Sequence, residues 1–182
     1  MTTITSKRIG QLTQDKDSPD WWRSKEIEIP FFDNKPLAII YMDFEPKADL
    51  KFLEEADLAI SNFLRFDKQD RLKLSDLVFK NYSDFLEAIG NDNEYKLSIR
   101  SNDDIWDFVH PFEIYVTRRP YKEMDMYVQI HCNCDWEEEH GLQLVFRQGR
   151  QITRVSDIDG HLTEADAYDK PDSEDELLSR FK

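Results

Sequence analysis

Residues 126–162 read MYVQIHCNCDWEEEHGLQLVFRQGRQITRVSDIDGHL, and the period of their apolar residues decides the fold. Met126, Val128 and Ile130 alternate with Tyr127, Gln129 and His131, the period of two expected of a half-buried strand. Cys132 and Cys134 continue the apolar row, while His131 and Asn133 fall on the polar side. The residues from Asp135 to Gly141 read as a turn. Leu142, Leu144 and Phe146 then alternate with Gln143 and Arg147 in a second strand. Gln148-Gly149 turns the chain again, and Gln151 to Val155 is β-branched enough for a third strand. Short connectors between successive strands favour an antiparallel meander. Asp159-Gly160 ends the pattern, since glycine accepts positive φ where other residues resist it.

Upstream, Lys7 to Leu12 reads as a weak strand, and Lys25 to Phe31 alternates with Ile27, Ile29 and Phe31 inward. Asp33-Asn34 makes a hairpin turn into a strand over Leu37 to Phe44. Asp49 is a suitable cap for a helix reaching about Phe66, with Leu53, Ala56, Ile60, Phe63 and Leu64 as its apolar stripe. A second helix is expected from the Ser75 cap to Gly90, with Val78, Tyr82, Phe85, Leu86 and Ile89 inward. A short helix follows over Asp103 to Val109, capped by Asn102, and Phe112 to Thr117 is a further strand. The order is strands, helices, strands. The expected fold is α+β: an antiparallel sheet of about six strands, with two long helices inserted between its N-terminal and C-terminal strands and packed on one face. Residues 1–168 form one domain in this reading. Residues 169–182 form an acidic C-terminal tail, within which Leu177, Leu178 and Phe181 offer a last helical turn.

Composition bounds the function. With 182 residues, 40% hydrophobic and twelve of them Phe, the chain has enough apolar surface for a core without staples. Its net charge of −14 repels phosphate backbones, so no nucleic-acid partner is expected, and it steers a basic protein partner instead. The opening MTTITSKRIG has no apolar signal segment, and the longest apolar run, Leu37 to Met42, is too short for a bilayer. A cytoplasmic protein without membrane association follows as the expectation. Cys132 and Cys134, two apart on one strand, carry parallel Cβ vectors unsuited to a disulfide, so both are expected as free thiols.

Four groups of residues are candidates for chemistry. Cys132, Cys134 and His140, with Asp135 or Glu139, supply donor types for zinc, but their C-x-C spacing departs from the usual zinc pair. Asp157, Asp159, Gly160 and Asp166 occupy part of an EF-hand register, though Val155 stands at its first position and the preceding segment reads as strand. Glu139 and His140 are an acid/base pair by type, yet neighbours in a turn seldom aim at one point. Trp21-Trp22 is expected to split, one ring into the core and one over a sheet edge. No cofactor motif is present. The Arg118-Arg119 pair is expected to meet nearby carboxylates.

Cys132 to Gln143, with its Trp-x-x-Glu-His-Gly-Leu turn, and Asp159 to Ala167, which opens Asp-Gly-His-Leu, resemble a bacterial domain-of-unknown-function family common in Bacteroidetes. The likeness extends to Pro-Asp-Trp-Trp and Ile-Pro-Phe-Phe-Asp near the start, and so covers most of the chain. It implies no activity. Through the Glu-His-Gly-Leu turn alone, the chain also resembles immunity-like domains that neutralise toxins. The leading expectation is therefore a non-catalytic binding domain. Its candidate face is Trp136, Glu137, Glu138, Glu139 and His140 together with Asp157, Asp159 and His161. The alternative is a metal-binding protein or metal-dependent enzyme using Cys132, Cys134 and His140, with His131, Asp157 and Asp159 nearby.

Overall fold

The computed structural model describes residues 2–180. In chain order, β1 (Thr3–Ser6) and β2 (Gly10–Gln14) form a hairpin, followed by β3 (Trp22–Ser24), β4 (Ile27–Ile29) and β5 (Lys35–Tyr41). Helices α1 (Phe52–Phe63), α2 (Lys68–Leu72) and α3 (Ser75–Ala88) come next, then a 3-10 turn over Asn102–Phe108. The chain closes with β6 (Val109–Arg118), β7 (Met126–Cys134), β8 (Glu137–Arg147) and β9 (Gln151–Ser156), and with two short helices, α4 (Glu164–Ala167) and α5 (Glu176–Ser179). Among these residues no helix is long and apolar enough to cross a membrane.

All the strands join one sheet in the order β1-β2-β3-β5-β6-β7-β8-β9, with β4 paired to the N-terminal half of β5. The expected meander over 126–155 is present, antiparallel throughout. The expected count of six strands is too low, because the weak N-terminal strand is a hairpin and Trp22–Ser24 adds a further strand, β3. In the hairpin the Ser6 hydroxyl accepts the Arg8 and Ile9 N–H groups and turns the chain. The sheet is also not wholly antiparallel: β5 and β6 run parallel, Ala38 opposite Glu113 and Tyr41 opposite Val116. The helices inserted between them form the crossover that a parallel pair requires. Asp49 accepts the Phe52 N–H as expected of a helix start. Ser75 does not cap α3: its hydroxyl donates to the Leu72 carbonyl and accepts from the Trp106 indole.

One face of the sheet meets the helices. Val128, Ile130 and Cys132 of β7 join Leu142, Leu144 and Phe146 of β8 in a core shared with Ala56, Ala59, Ile60 and Phe63 of α1. The Phe146 ring lies 5.3 Å from Phe63 and 5.8 Å from Phe31, which locks α1 onto β8. Trp22 enters this core and donates its indole N–H to the Phe44 carbonyl at 2.9 Å, while Trp21 packs against Tyr115 on the other face. The tryptophan pair thus splits, but Trp21 lies over the central strand β6 and not over a sheet edge.

A buried carboxylate ties α1 to the N-terminal hairpin. Asp57 accepts the Tyr41 hydroxyl at 2.7 Å, the Lys7 N–H at 2.8 Å and the Ser6 hydroxyl. Asp57→Asn places two N–H donors against hydroxyls that were donating. It is expected to lower stability by about 2 kcal/mol, read as a lower urea midpoint at unchanged slope.

The C-terminal segment is not the solvated tail that its charge suggested. Asp175 is fully buried and accepts the Ala165 and Leu178 N–H groups, and Leu178 is buried beside it. The Gln151 amide of β9 donates to the Leu177 carbonyl. The segment therefore wraps the edge strand, which would otherwise expose unpaired backbone groups. The expected contribution of Phe181 lies outside the described residues.

Candidate functional site

Two turns that flank the β8–β9 hairpin meet at one end of the sheet. Cys134 pairs with Glu137 and Cys132 with Leu142, so residues 138–141 of β8 bulge out opposite Asn133 alone. Gly141 makes the bulge feasible: its φ is +64°, and a Cβ there would stand 2.5 Å from the Cys132 carbonyl oxygen. The Ile158 N–H then donates to the His140 carbonyl at 3.2 Å and joins the bulge to the loop after β9. Glu138, Glu139, His140, Asp157, Asp159 and His161 are all exposed around this junction.

Two expected surface residues point elsewhere. Trp136 is fully buried, not a surface anchor: its indole donates to Asn81 at 3.2 Å and its ring packs edge-on against Tyr82 of α3. Glu137 is buried too, and braces the bulge by accepting the Glu139 N–H, the His140 N–H and the His140 ring at 3.0 Å. The tight connection between Cys134 and Glu137 leaves Trp136 no outward path.

Asp159 organises the second loop. It accepts the Gln143 amide at 2.8 Å, the His161 N–H at 2.9 Å and the Arg154 guanidinium. Burial pushes its carboxyl upward, but the His161 N–H and Arg154 outweigh that and hold it below the usual carboxylate range. Arg154 is itself buried and also pairs with Glu164 at 2.8 Å. A cleft of about 800 Å³ lies between α3, β9 and the C-terminal segment, with Lys80, Asp84, Arg154, Asp157 and Glu164 on its walls. Several of its charges pair with one another, Lys80 with Asp84 and Arg154 with Glu164.

The donor types for metal do not converge. Cys132 and Cys134 are free thiols packed in the core. Burial raises both thiols, Cys134 to about 12, so the metal-binding thiolate is suppressed. The His140 ring is bonded to Glu137 at the surface, and His131 lies on the opposite face of β7. The calcium register fails likewise, with Asp159 committed to Arg154 and Asp166 to Arg119. No group of three or more His, Cys, Asp or Glu among the described residues is placed to hold a metal.

Sequence reasoning missed the depth of the arginine networks. Arg118 pairs with Asp49 at 2.8 Å and with Glu55, and Arg119 collects Glu123, Asp166 and Asp172. A basic pair in an acidic chain was the available hint, but the partners come from segments up to 69 residues away. A group of adjoining rings on the outer face was missed as a group, because Trp21 precedes β3 while Phe112 and Tyr115 lie on β6 and His131 on β7.

These features define a mixed α/β domain built on a large, mostly antiparallel sheet, with an acidic, hydrogen-bonded loop junction at one end. The chain belongs to the family described as Domain of unknown function (DUF6985), whose model matches residues 8–162. Comparison with curated proteins and with solved structures returns no match.

Proposed function

We propose that this protein is a non-catalytic, immunity-like binding domain whose acidic loop junction engages a basic protein partner. The observation that carries the reading is the Ile158–His140 hydrogen bond, which assembles Glu138, Glu139 and Asp157 into one exposed patch on a chain of net charge −14. Complementary charge of this kind speeds encounter and selects against wrong partners. Glu137 and Asp159 hold the two loops in shape, so the patch is formed before binding and less ordering entropy is lost in the complex.

The test is capture from extracts of the source cell with the wild-type chain and with the triple variant Glu138→Lys, Glu139→Lys, Asp157→Lys. A basic protein retained by the wild type should bind the variant at least about ten-fold more weakly, with a shallower salt dependence. Equal recovery on both chains would overturn the reading.

A further inference from the structure

Gln143 of β8 stands opposite His131 of β7, on the face of the sheet away from α1. The loop after β9 roofs Gln143, which is fully buried. Its amide donates to the Ser156 hydroxyl at 3.0 Å, to Asp159 at 2.8 Å and to the His161 carbonyl at 3.1 Å. Three acceptors around one nitrogen fix which way the amide lies. The Oε1 of Gln143 is buried without a hydrogen-bond partner among the described residues, and so is the Nε2 of His131. Buried polar atoms are nearly always partnered, so two orphans on facing residues mark a costly spot under the edge of the loop.

We infer that residues 157–161 form an acid-released flap, latched over Gln143 and sprung by protonation of His131 beside it. The inference rests on the acidic binding-domain reading, since Asp157, Asp159 and His161 belong to the proposed contact patch, and it adds a control on that patch. Asp157, Asp159, Gly160 and His161 are exposed, so polar latches hold the flap down. These are the Gln143 amide, the Arg154 guanidinium on Asp159, and the Ile158 N–H on the His140 carbonyl. With the flap closed, burial lowers the His131 imidazole from 6.5 to about 4 and keeps it neutral. Lifting the flap frees the Gln143 amide, lets water reach the ring and restores its ordinary value. Protons therefore bind the open form more tightly: closure is fully held above about pH 6.5 and weakens as pH falls toward 4. The surrounding charges do not supply this response. Glu113 faces His131 from β6 and favours its proton, but is paired with Arg23 and accepts the Tyr115 hydroxyl. On the flap, Arg154 and the His161 N–H hold the Asp159 carboxyl below its usual range, and the His161 ring lies 3.3 Å from it. A proton on His161 would tighten that pair, the opposite of release.

Hydrogen exchange on the full-length chain tests the flap. Protection of the Ile158 N–H, corrected for the intrinsic pH dependence of exchange, should fall about twenty-fold from pH 7 to pH 5, with β7 and β8 unchanged. His131→Gln keeps an amide donor beside Gln143 and removes the titrating ring, so its Ile158 protection should stay level. His161→Gln should retain the fall. Level protection in the wild type, or an equal fall in His131→Gln, would overturn the flap. Direct titration of the wild-type imidazole by NMR is a second check that needs no variant: a His131 value above about 6 would overturn it as well. Neither readout uses a partner. A flat exchange profile therefore leaves the acidic junction standing, and failed capture of a basic protein leaves the flap standing.

Discussion

Gly149→Ala is expected to cost more than about 4 kcal/mol and to leave the chain largely unfolded at 37 °C. Two separate effects add. Gly149 has φ of +63°, a conformation that costs an alanine roughly 1–2 kcal/mol. The larger effect is contact. A Cβ there would stand 1.9 Å from the Ala59 carbonyl oxygen, 2.9 Å from its carbon and 3.1 Å from the Phe63 nitrogen. All three atoms are α1 backbone, so no side chain can swing aside. Relief requires α1 to withdraw from the β8–β9 turn. Withdrawal separates Phe63 from Phe146 and opens the core at Ala59 and Ile60, and it breaks the 3.0 Å hydrogen bond from the Asn62 amide to the Gln148 carbonyl. Against the usual marginal stability of about 5–15 kcal/mol, that loss is most of the reserve. Gly90→Ala is the control: its φ is +75°, but a Cβ meets nothing within 4 Å. Urea denaturation should therefore show Gly90→Ala shifted by strain alone, about 1 kcal/mol. If Gly149→Ala costs no more than Gly90→Ala, the close approach of turn and helix is wrong.

The same turn shows where local pattern is informative and where it fails. Gln148-Gly149 is legible as a turn from residue type, and the alternation at Val128, Ile130, Leu142 and Leu144 is legible because a single face of those strands meets the helices. That glycine is demanded there by α1, some ninety residues earlier, has no local trace. Trp136 carried no signal either. A tryptophan amid acidic residues has the composition of an exposed anchor, and only the tight β7–β8 connection and Asn81 of α3 reveal that it points inward. Glu137 fails for the same reason, since its partners are N–H groups of its own bulge, invisible to a side-chain pattern. The second half of the candidate site was more readable. Asp159-Gly160 marks a loop by residue type alone, and that loop does meet the Glu138–His140 turn. The parallel β5–β6 pair was not legible, because a long helical connector is compatible with either strand direction.

Replacing Arg119 by methionine should detach the C-terminal segment, a prediction that follows from the failure of charge composition to describe residues 163–180. That stretch looks solvated because its carboxylates are counted without the cations they meet. Arg119 has a side chain only 2% exposed, yet it donates to both Asp166 oxygens, to Asp172 at 2.7 Å and to Glu123 at 3.0 Å. Methionine fills much of the same space but leaves Asp166 without its cation, while Lys122 stays 3.7 Å from Asp172 and Arg147 3.7 Å from Glu123; because these carboxylates are partly exposed, the cost falls below the roughly 3–5 kcal/mol of a fully buried cluster. The chain has a less costly response than leaving Asp166 unpaired in place. Asp169 and Pro171 form an exposed link at which α5 can swing out, uncovering Leu178 and the β9 edge. Hydrogen exchange should accordingly rise at Ala165 and Leu178, whose N–H groups Asp175 holds, while β7 and β8 stay protected. Acid gives an independent check. The Arg119 guanidinium holds the Asp172 carboxyl below its ordinary range, so this pairing stabilises docking fully above the unfolded carboxyl value near 3.8. It is lost only as pH falls through the lower folded value. The wild-type segment should stay docked at pH 5 and loosen below about pH 4, whereas the methionine variant should expose it already at pH 7. Cleavage near 168–171 by a nonspecific protease, followed by mass spectrometry, reads both. Wild-type resistance in the Arg119→Met chain at pH 7 would show that the segment is held by Leu178 and Asp175 alone.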